Sequence, residues 1–235
     1  MTPPDDDARG RHYASPPCMA HEVDPAYFDP SAVDPEQARD VARWREAERA
    51  RLRAARLALS GDARAALERD LISHLRPLLE DRMGSGQGRV LASYWPVEGE
   101  PDLRPLMAEL DAAGVVLALP VVETRSGPLV FRRWTQETRI IRGDRDIPVP
   151  SPEAPLVTPG ILLAPLLGWD GAGYRLGHGG GYFDRTLATL SPRPFAIGIG
   201  FQVARLPSIY PQPHDIVLDA IITEAGVQVD SGRAS

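Results

Sequence analysis

The sequence predicts an α/β fold, a three-layer sandwich in which helices flank a mainly parallel sheet. Three observations carry that prediction. Short apolar runs of strand length recur through the second half of the chain, as at residues 115–122 and 161–167. Segments with helical spacing of apolar residues alternate with them, the pattern of strands buried on both faces. Neither an internal repeat nor a composition break divides residues 35–225, so one domain is expected.

The first 33 residues carry aspartates and prolines without periodicity and read as a flexible N-terminal extension. A single domain over residues 34–228 and a C-terminal tail over 229–235 complete the expected organisation. Asp34 followed by Pro35 is a helix-start signal, an N-cap residue and then proline at the first helical position. The helix predicted from there runs to about residue 59, with Val41, Trp44, Leu52, Ala55 and Leu59 on its inner stripe. Ser60-Gly61-Asp62 breaks it. A second amphipathic helix carries Leu67, Leu71, Leu75 and Leu78, and the glycine-rich stretch 84–88 ends it.

Residues 90–95 then read as a strand, 101–113 as a helix, 115–122 as a buried strand and 129–134 as a strand with one polar face. The prolines of 147–152 exclude a central strand there. Further strands are predicted at 161–167, 195–201 and 218–223, with a helix starting at 182.

Composition excludes several classes of function. A net charge of −6 and a pI near 5.4 argue against a nucleic-acid footprint over the whole protein. No apolar run approaches the roughly 20 residues of a membrane span, and the N-terminus lacks the apolar core of a secretory signal. The lone cysteine, Cys18, permits neither a disulfide framework nor a cysteine metal site. A cytoplasmic protein is expected. All 26 basic residues are arginine. The missing lysine rules out Schiff-base chemistry and the lysine-dependent phosphate loop. Phosphate must therefore be held by arginine forks, backbone N–H groups or a metal.

The most informative stretch is residues 171–185. Six of the eleven residues from 171 to 181 are glycine, placed between a predicted strand and a predicted helix. Such a junction offers backbone N–H groups and a helix dipole to a phosphate. Glycines alone also suit a tight turn, and the spacing Gly171-x-Gly173-x-x-x-Gly177 is a poor match to a dinucleotide fingerprint. Arg175, His178, Asp184 and Arg185 among the glycines favour the phosphate reading. The arginines suit phosphate oxygens, and Asp184 suits Mg²⁺.

The run from Gly173 through Tyr-Arg-Leu-Gly-His-Gly-Gly-Gly-Tyr-Phe-Asp to Arg185 resembles the signature of the 5-formyltetrahydrofolate cyclo-ligase family. Phe183 replaces the usual second tyrosine. Similarity extends in family order over residues 40–225, including Tyr94-Trp-Pro-Val-Glu-Gly-Glu and Pro213-His-Asp-Ile-Val-Leu-Asp. The resemblance implies a NagB/RpiA/CoA-transferase-like sheet fold and a monomer. It implies ATP-dependent conversion of 5-formyltetrahydrofolate to 5,10-methenyltetrahydrofolate, with ATP and Mg²⁺ required. The alternative is a family-like protein without folate activity, acting on another small molecule or serving as a nucleotide-binding regulatory module.

Site residues follow by position. Arg45, Arg49 and Arg53 share a helix face at four-residue spacing, with Arg56 beside them. Such a face ordinarily meets water, but the resemblance matches Arg45 and Arg49 to nucleotide contacts. ATP is further assigned to Arg175, Gly177, His178, Gly179, Gly180, Gly181, Tyr182 and Asp184, with Arg175 and Asp184 catalytic and Asp184 the metal ligand. Folate is assigned to Glu100 (with Glu98 its rival), Trp95 and Tyr182. Tyr94 suits either a pteridine wall or the core. His178 is not expected to be an obligatory base, because the family varies there. His214-Asp215 reads as a turn cap. Where relatives carry an aromatic residue bordering the folate, this chain has Arg145, so either the pocket differs there or another residue, such as Trp134 or Trp169, substitutes.

Overall fold

The computed structural model of the chain describes residues 35–84 and 89–233. The expected extension, the Asp34 cap and most of the glycine-rich stretch after the second helix lie outside the described residues.

Helices α1 (Pro35–Leu57) and α2 (Gly61–Met83) open the fold. Ser60 separates them and caps α2, its hydroxyl accepting from the Ala63 N–H at 3.2 Å. The buried stripe of α2 is Leu71, Leu75, Leu79 and Met83, and each fully buried leucine contributes roughly 1.5–3 kcal/mol. The inner face of α1 differs from expectation. Val41 and Leu52 are buried on it, and so are Arg45 and Arg56. The arginine stripe therefore faces the protein rather than water.

The main sheet comprises β1 (Val90–Ala92), β2 (Val116–Val121), β3 (Val130–Trp134), β6 (Ile161–Pro165), β9 (Phe195–Ile199), β11 (Ala220–Thr223) and β12 (Gly226–Asp230). Their spatial order is β12-β11-β9-β6-β1-β2-β3. From β11 to β2 all neighbours are parallel, and β12 and β3 close the edges antiparallel. Between β3 and β6, the strands β4 (Ile140–Arg142) and β5 (Pro148–Pro150) pair only with each other. The prolines thus stay out of the main sheet, as their missing N–H requires.

Alternation along the strands builds two cores. Ile161 and Leu163 face a cluster completed by α2 and α3 (Arg104–Ala112), while Leu162 faces one completed by Leu52 of α1 and Leu187 of α4 (Tyr182–Thr189). On this second face Ala92, Ala118 and Ala196 are small, leaving volume for α1 and α4 to fill. Six strands escaped the sequence reading: β4, β5 and β12, and the short β7 (Gly168–Asp170), β8 (Arg175–Leu176) and β10 (Arg205–Leu206), which form a separate small sheet.

β12 passes the expected domain end at 228, and the packing continues to Arg233. Its Nε donates to Asp219 Oδ1 at 2.7 Å. Asp219, buried, also accepts from the Ala196 N–H at 2.8 Å, so its place in the motif is structural.

Candidate functional site

Ligands of open parallel sheets sit beyond the carboxyl ends of the strands. Here a cavity of about 370 Å³ opens there, between the ends of β1, β2 and β6, the inner face of α1 and the loop before α4. Every residue assigned from the sequence lines it. Arg45, Arg49, Trp95, Glu100, Arg175 and Tyr182 do so, as do Gly177, His178, Gly179, Gly180, Gly181 and Asp184.

The glycine segment divides into two devices. Gly171 and Gly173 belong to the turn joining β7 to β8, where buried Asp170 accepts from the Ala172 and Tyr174 N–H groups at 3.1 and 3.2 Å. Of the segment's glycines, only those within residues 177–181, between β8 and α4, line the cavity. Gly179 and Gly181 have φ of +93° and +63°, a region open to glycine at little cost. The loop therefore follows a strand of the small sheet and delivers its chain to the start of α4.

Arg175 and Asp184 bracket this loop. Arg175 Nη2 donates to Asp184 Oδ2 at 2.6 Å, with the side chains 5% and 13% exposed. The guanidinium also lies 5.0 Å from the Phe183 ring centroid, and its Nε has no partner among the described residues. Burial pushes the Arg175 pKa down, against the pull of Asp184. Such a cation gains from a second anion. Asp184 Oδ1 accepts a long 3.3 Å bond from the Ile216 N–H.

From α1, Arg49 Nε donates to the Gly177 carbonyl at 2.8 Å, and its pKa is lowered first by burial and then by Arg45. Arg45 is tied more tightly. Its Nε and Nη2 donate to the Ile209 and Tyr210 carbonyls at 3.0 and 3.1 Å, and its guanidinium pairs with Asp215. Asp215 also accepts from the Gln212 N–H at 2.6 Å, so the expected turn cap is present and doubles as the partner of Arg45.

Across the cavity, Glu100 is 3% exposed. Its Oε2 accepts from the Val97 N–H at 3.0 Å and its Oε1 lies 2.8 Å from His178 Nε2. Glu98, its rival from the sequence, lies 3.7 Å from His178 Nδ1 and 2.8 Å from Arg53. Trp95, Leu119, Val122 and Leu129 supply an apolar wall. Tyr94 lines the cavity and is buried, donating to the Pro101 carbonyl at 2.8 Å. Burial raises its pKa well above the usual phenol value.

Neither proposed tryptophan substitute reaches the site. Trp134 and Trp169 are core residues, the latter donating to the Phe201 carbonyl at 3.2 Å. Arg145 itself is exposed and lines the cavity, with φ of +52°. Arg56, beside the arginine face of α1, is buried below the turn that carries Glu98, donating to the Glu98 carbonyl at 3.0 Å. The signal for it was available: Arg56 falls four residues after Leu52 on the apolar stripe.

The model of the 5-formyltetrahydrofolate cyclo-ligase family matches residues 41–224. The chain belongs to this family. A 5-formyltetrahydrofolate cyclo-ligase from Escherichia coli strain K12 is 28% identical over 171 residues, covering 65% of this chain and 94% of the relative. One from Mycolicibacterium smegmatis is 29% identical over 143 residues, covering 58% and 74%. An NMR structure of 5,10-methenyltetrahydrofolate synthetase from Aquifex aeolicus superposes with a TM-score of 0.68 at 27% identity, over 81% of this chain and 95% of that one. A synthetase from Mycoplasma pneumoniae shares the fold, with a TM-score of 0.62 at 23% identity, over 77% and 98%. The cyclo-ligase motif and the cavity are thus in the same place on this chain.

Proposed function

We propose that this chain converts 5-formyltetrahydrofolate to 5,10-methenyltetrahydrofolate with ATP, releasing ADP and phosphate, as a cytoplasmic monomer acting on small molecules. The observation that carries the reading is the polarity of one cavity. The glycine loop with Arg49 and Arg175 occupies one end, and an apolar wall with a buried carboxylate occupies the other.

The chemistry needs both ends. A formamide oxygen is a poor leaving group, and phosphorylating it makes a good one. N10 then attacks the activated carbon and phosphate departs. The protein's task is positioning and charge stabilisation. Arg49, Arg175 and the backbone of residues 177–181 hold the ATP phosphates, with Arg45 and Tyr182 beside them. Glu100, Trp95 and Tyr182 hold the folate. Arg45 acts largely by fixing the 209–215 segment, since its donors are already engaged there.

Mg²⁺ fits only as an ion shared with the nucleotide. No group of three or more acidic, histidine or cysteine side chains stands ready for a metal among the described residues. Mg²⁺ is commonly held by one or two carboxylates together with phosphates. Asp184 Oδ1, the oxygen turned away from Arg175, meets that demand. There the ion would neutralise charge developing on the transferred group.

The test is absorbance in the methenyl band with purified protein, Mg-ATP and 5-formyltetrahydrofolate. Growth that requires both protein and ATP supports the reading. A flat trace with ATP binding intact overturns the folate assignment in favour of another substrate.

A further inference from the structure

We infer that His178 is a proton-transfer residue of this site, taking the proton released from N10 during ring closure and returning it to the departing phosphate. The inference rests on the cyclo-ligase reading above and goes beyond it by naming the group that moves the proton.

The geometry begins with a histidine held between carboxylates. His178 Nε2 lies 2.8 Å from buried Glu100 Oε1, and Nδ1 lies 3.7 Å from Glu98 Oε2. The first contact is a hydrogen bond, while the second is too long for one. With Nε2–H donating to Glu100, the neutral ring keeps its lone pair on Nδ1. Glu100 is itself fixed by the Val97 N–H, and Glu98 by Arg53 at 2.8 Å. Arg53 and Arg49 of α1 are the cations on this side, the latter packed against Gly179. A ring protonated at Nδ1 would have one carboxylate against each nitrogen.

Its place in the chain is equally specific. His178 stands inside the glycine loop assigned to the phosphates, yet its partner Glu100 belongs to the folate side. It thus bridges the two reactants. Several other groups lining the cavity are poorer candidates. Arginine does not give up its proton. Asp184 and Asp215 are engaged by Arg175 and Arg45, and the His214 side chain is 75% exposed.

The step balances. N10 attacks the formyl carbon that carries the phosphate, and the N10–C bond forms as the N10 proton passes to Nδ1. The C–O bond to phosphate then breaks while the N5 lone pair forms the C=N bond of the methenyl product. His178 returns its proton to a phosphate oxygen, so the leaving group departs as hydrogen phosphate and the ring is neutral again.

The experiment compares the full chain with His178→Gln and His178→Asn. Single-turnover growth of the methenyl band is followed, and ATP affinity is measured separately by calorimetry. The expected result is a rate about 100-fold lower, the usual scale of a lost acid–base group. Added imidazole should restore part of the rate, with ATP affinity unchanged. An active parent whose variants keep the rate overturns the inference. A lower rate that tracks weaker ATP binding does so too, assigning His178 to phosphate binding instead. A parent that makes no methenyl product removes the cyclo-ligase reading and this step with it.

Discussion

Arg175 and Asp184 form a buried ion pair, 2.6 Å between Nη2 and Oδ2, that closes the glycine loop at its base by joining β8 to the first turn of α4. The pair lets Asp184 shape the loop, and under the proposed function the same carboxylate would also carry a cation with the nucleotide. Asp184→Ala leaves a buried guanidinium without its partner, which costs about 3–5 kcal/mol. For a domain of this size each 1 kcal/mol moves the melting temperature by roughly 2–4 °C. The variant should therefore melt well below the parent as well as lose turnover. Asp184→Asn keeps an acceptor for Arg175 and should recover part of the melting temperature without the activity. Calorimetry beside the methenyl assay checks both, and near-normal rates at saturating Mg²⁺ would remove Asp184 from the mechanism.

Of the two α1 arginines assigned to the nucleotide, Arg49 has the less committed terminal nitrogens, its Nε alone holding the Gly177 carbonyl at 2.8 Å. Arg49→Ala removes that bond and a cation that lines the cavity. Hydrogen bonds to charged groups contribute about 1.5–3 kcal/mol, so the KM for ATP should rise by roughly tenfold or more. The KM for folate should change much less. Equal rises in both would place Arg49 in the general architecture rather than on the nucleotide.

The two left-handed glycines of the loop separate backbone strain from crowding. At Gly179 an added Cβ meets only ordinary contacts, the nearest being Arg49 at 3.6 Å. Gly179→Ala should therefore act through its φ of +93°, costing roughly 1–3 kcal/mol or shifting the loop. At Gly181 the Cβ would also lie 2.7 Å from Arg185 Nη1, the far end of a side chain that can move. Both variants should weaken ATP binding, with the loss at Gly179 unrelieved by trimming Arg49. Unchanged nucleotide affinity in both would show that the loop does not present its backbone to the ligand.

The parallel strands were legible in the sequence because they are apolar runs, and α1 and α2 because apolar residues recur in them at helical spacing, whereas the edge strand β12, with the sequence Gly-Val-Gln-Val-Asp, was not. The site was legible where motif and geometry coincide, as at residues 175–184. What stayed hidden depends on contacts between distant segments. Periodicity marked the face of α1 that carries Arg45 and Arg56, but burial of two arginines there follows from carbonyls at Glu98, Ile209 and Tyr210 that no local pattern reveals. The contact of His178 with Glu100 was hidden for the same reason, the two lying 78 residues apart in sequence. Strands β7, β8 and β10 are only two or three residues long, too short for any alternation to show.

Tyr94 gives the alkaline prediction. Its phenol is buried, donates to the Pro101 carbonyl at 2.8 Å and has its pKa raised by burial. The unfolded chain loses this proton near pH 10, about the ordinary tyrosine value, while the folded chain keeps it. The folded state then binds more protons, and stability falls as pH rises above that point, by about 1.4 kcal/mol per unit for one proton. Tyr94→Phe should cost about 1 kcal/mol at neutral pH through the lost hydrogen bond. Phenylalanine does not titrate, so the variant's stability should fall less steeply above about pH 10. The gap between the two proteins should therefore narrow and then reverse. Urea unfolding near pH 8 and pH 11 tests this, and a gap that stays constant would mean that the folded protein releases the Tyr94 proton as readily as the unfolded chain does.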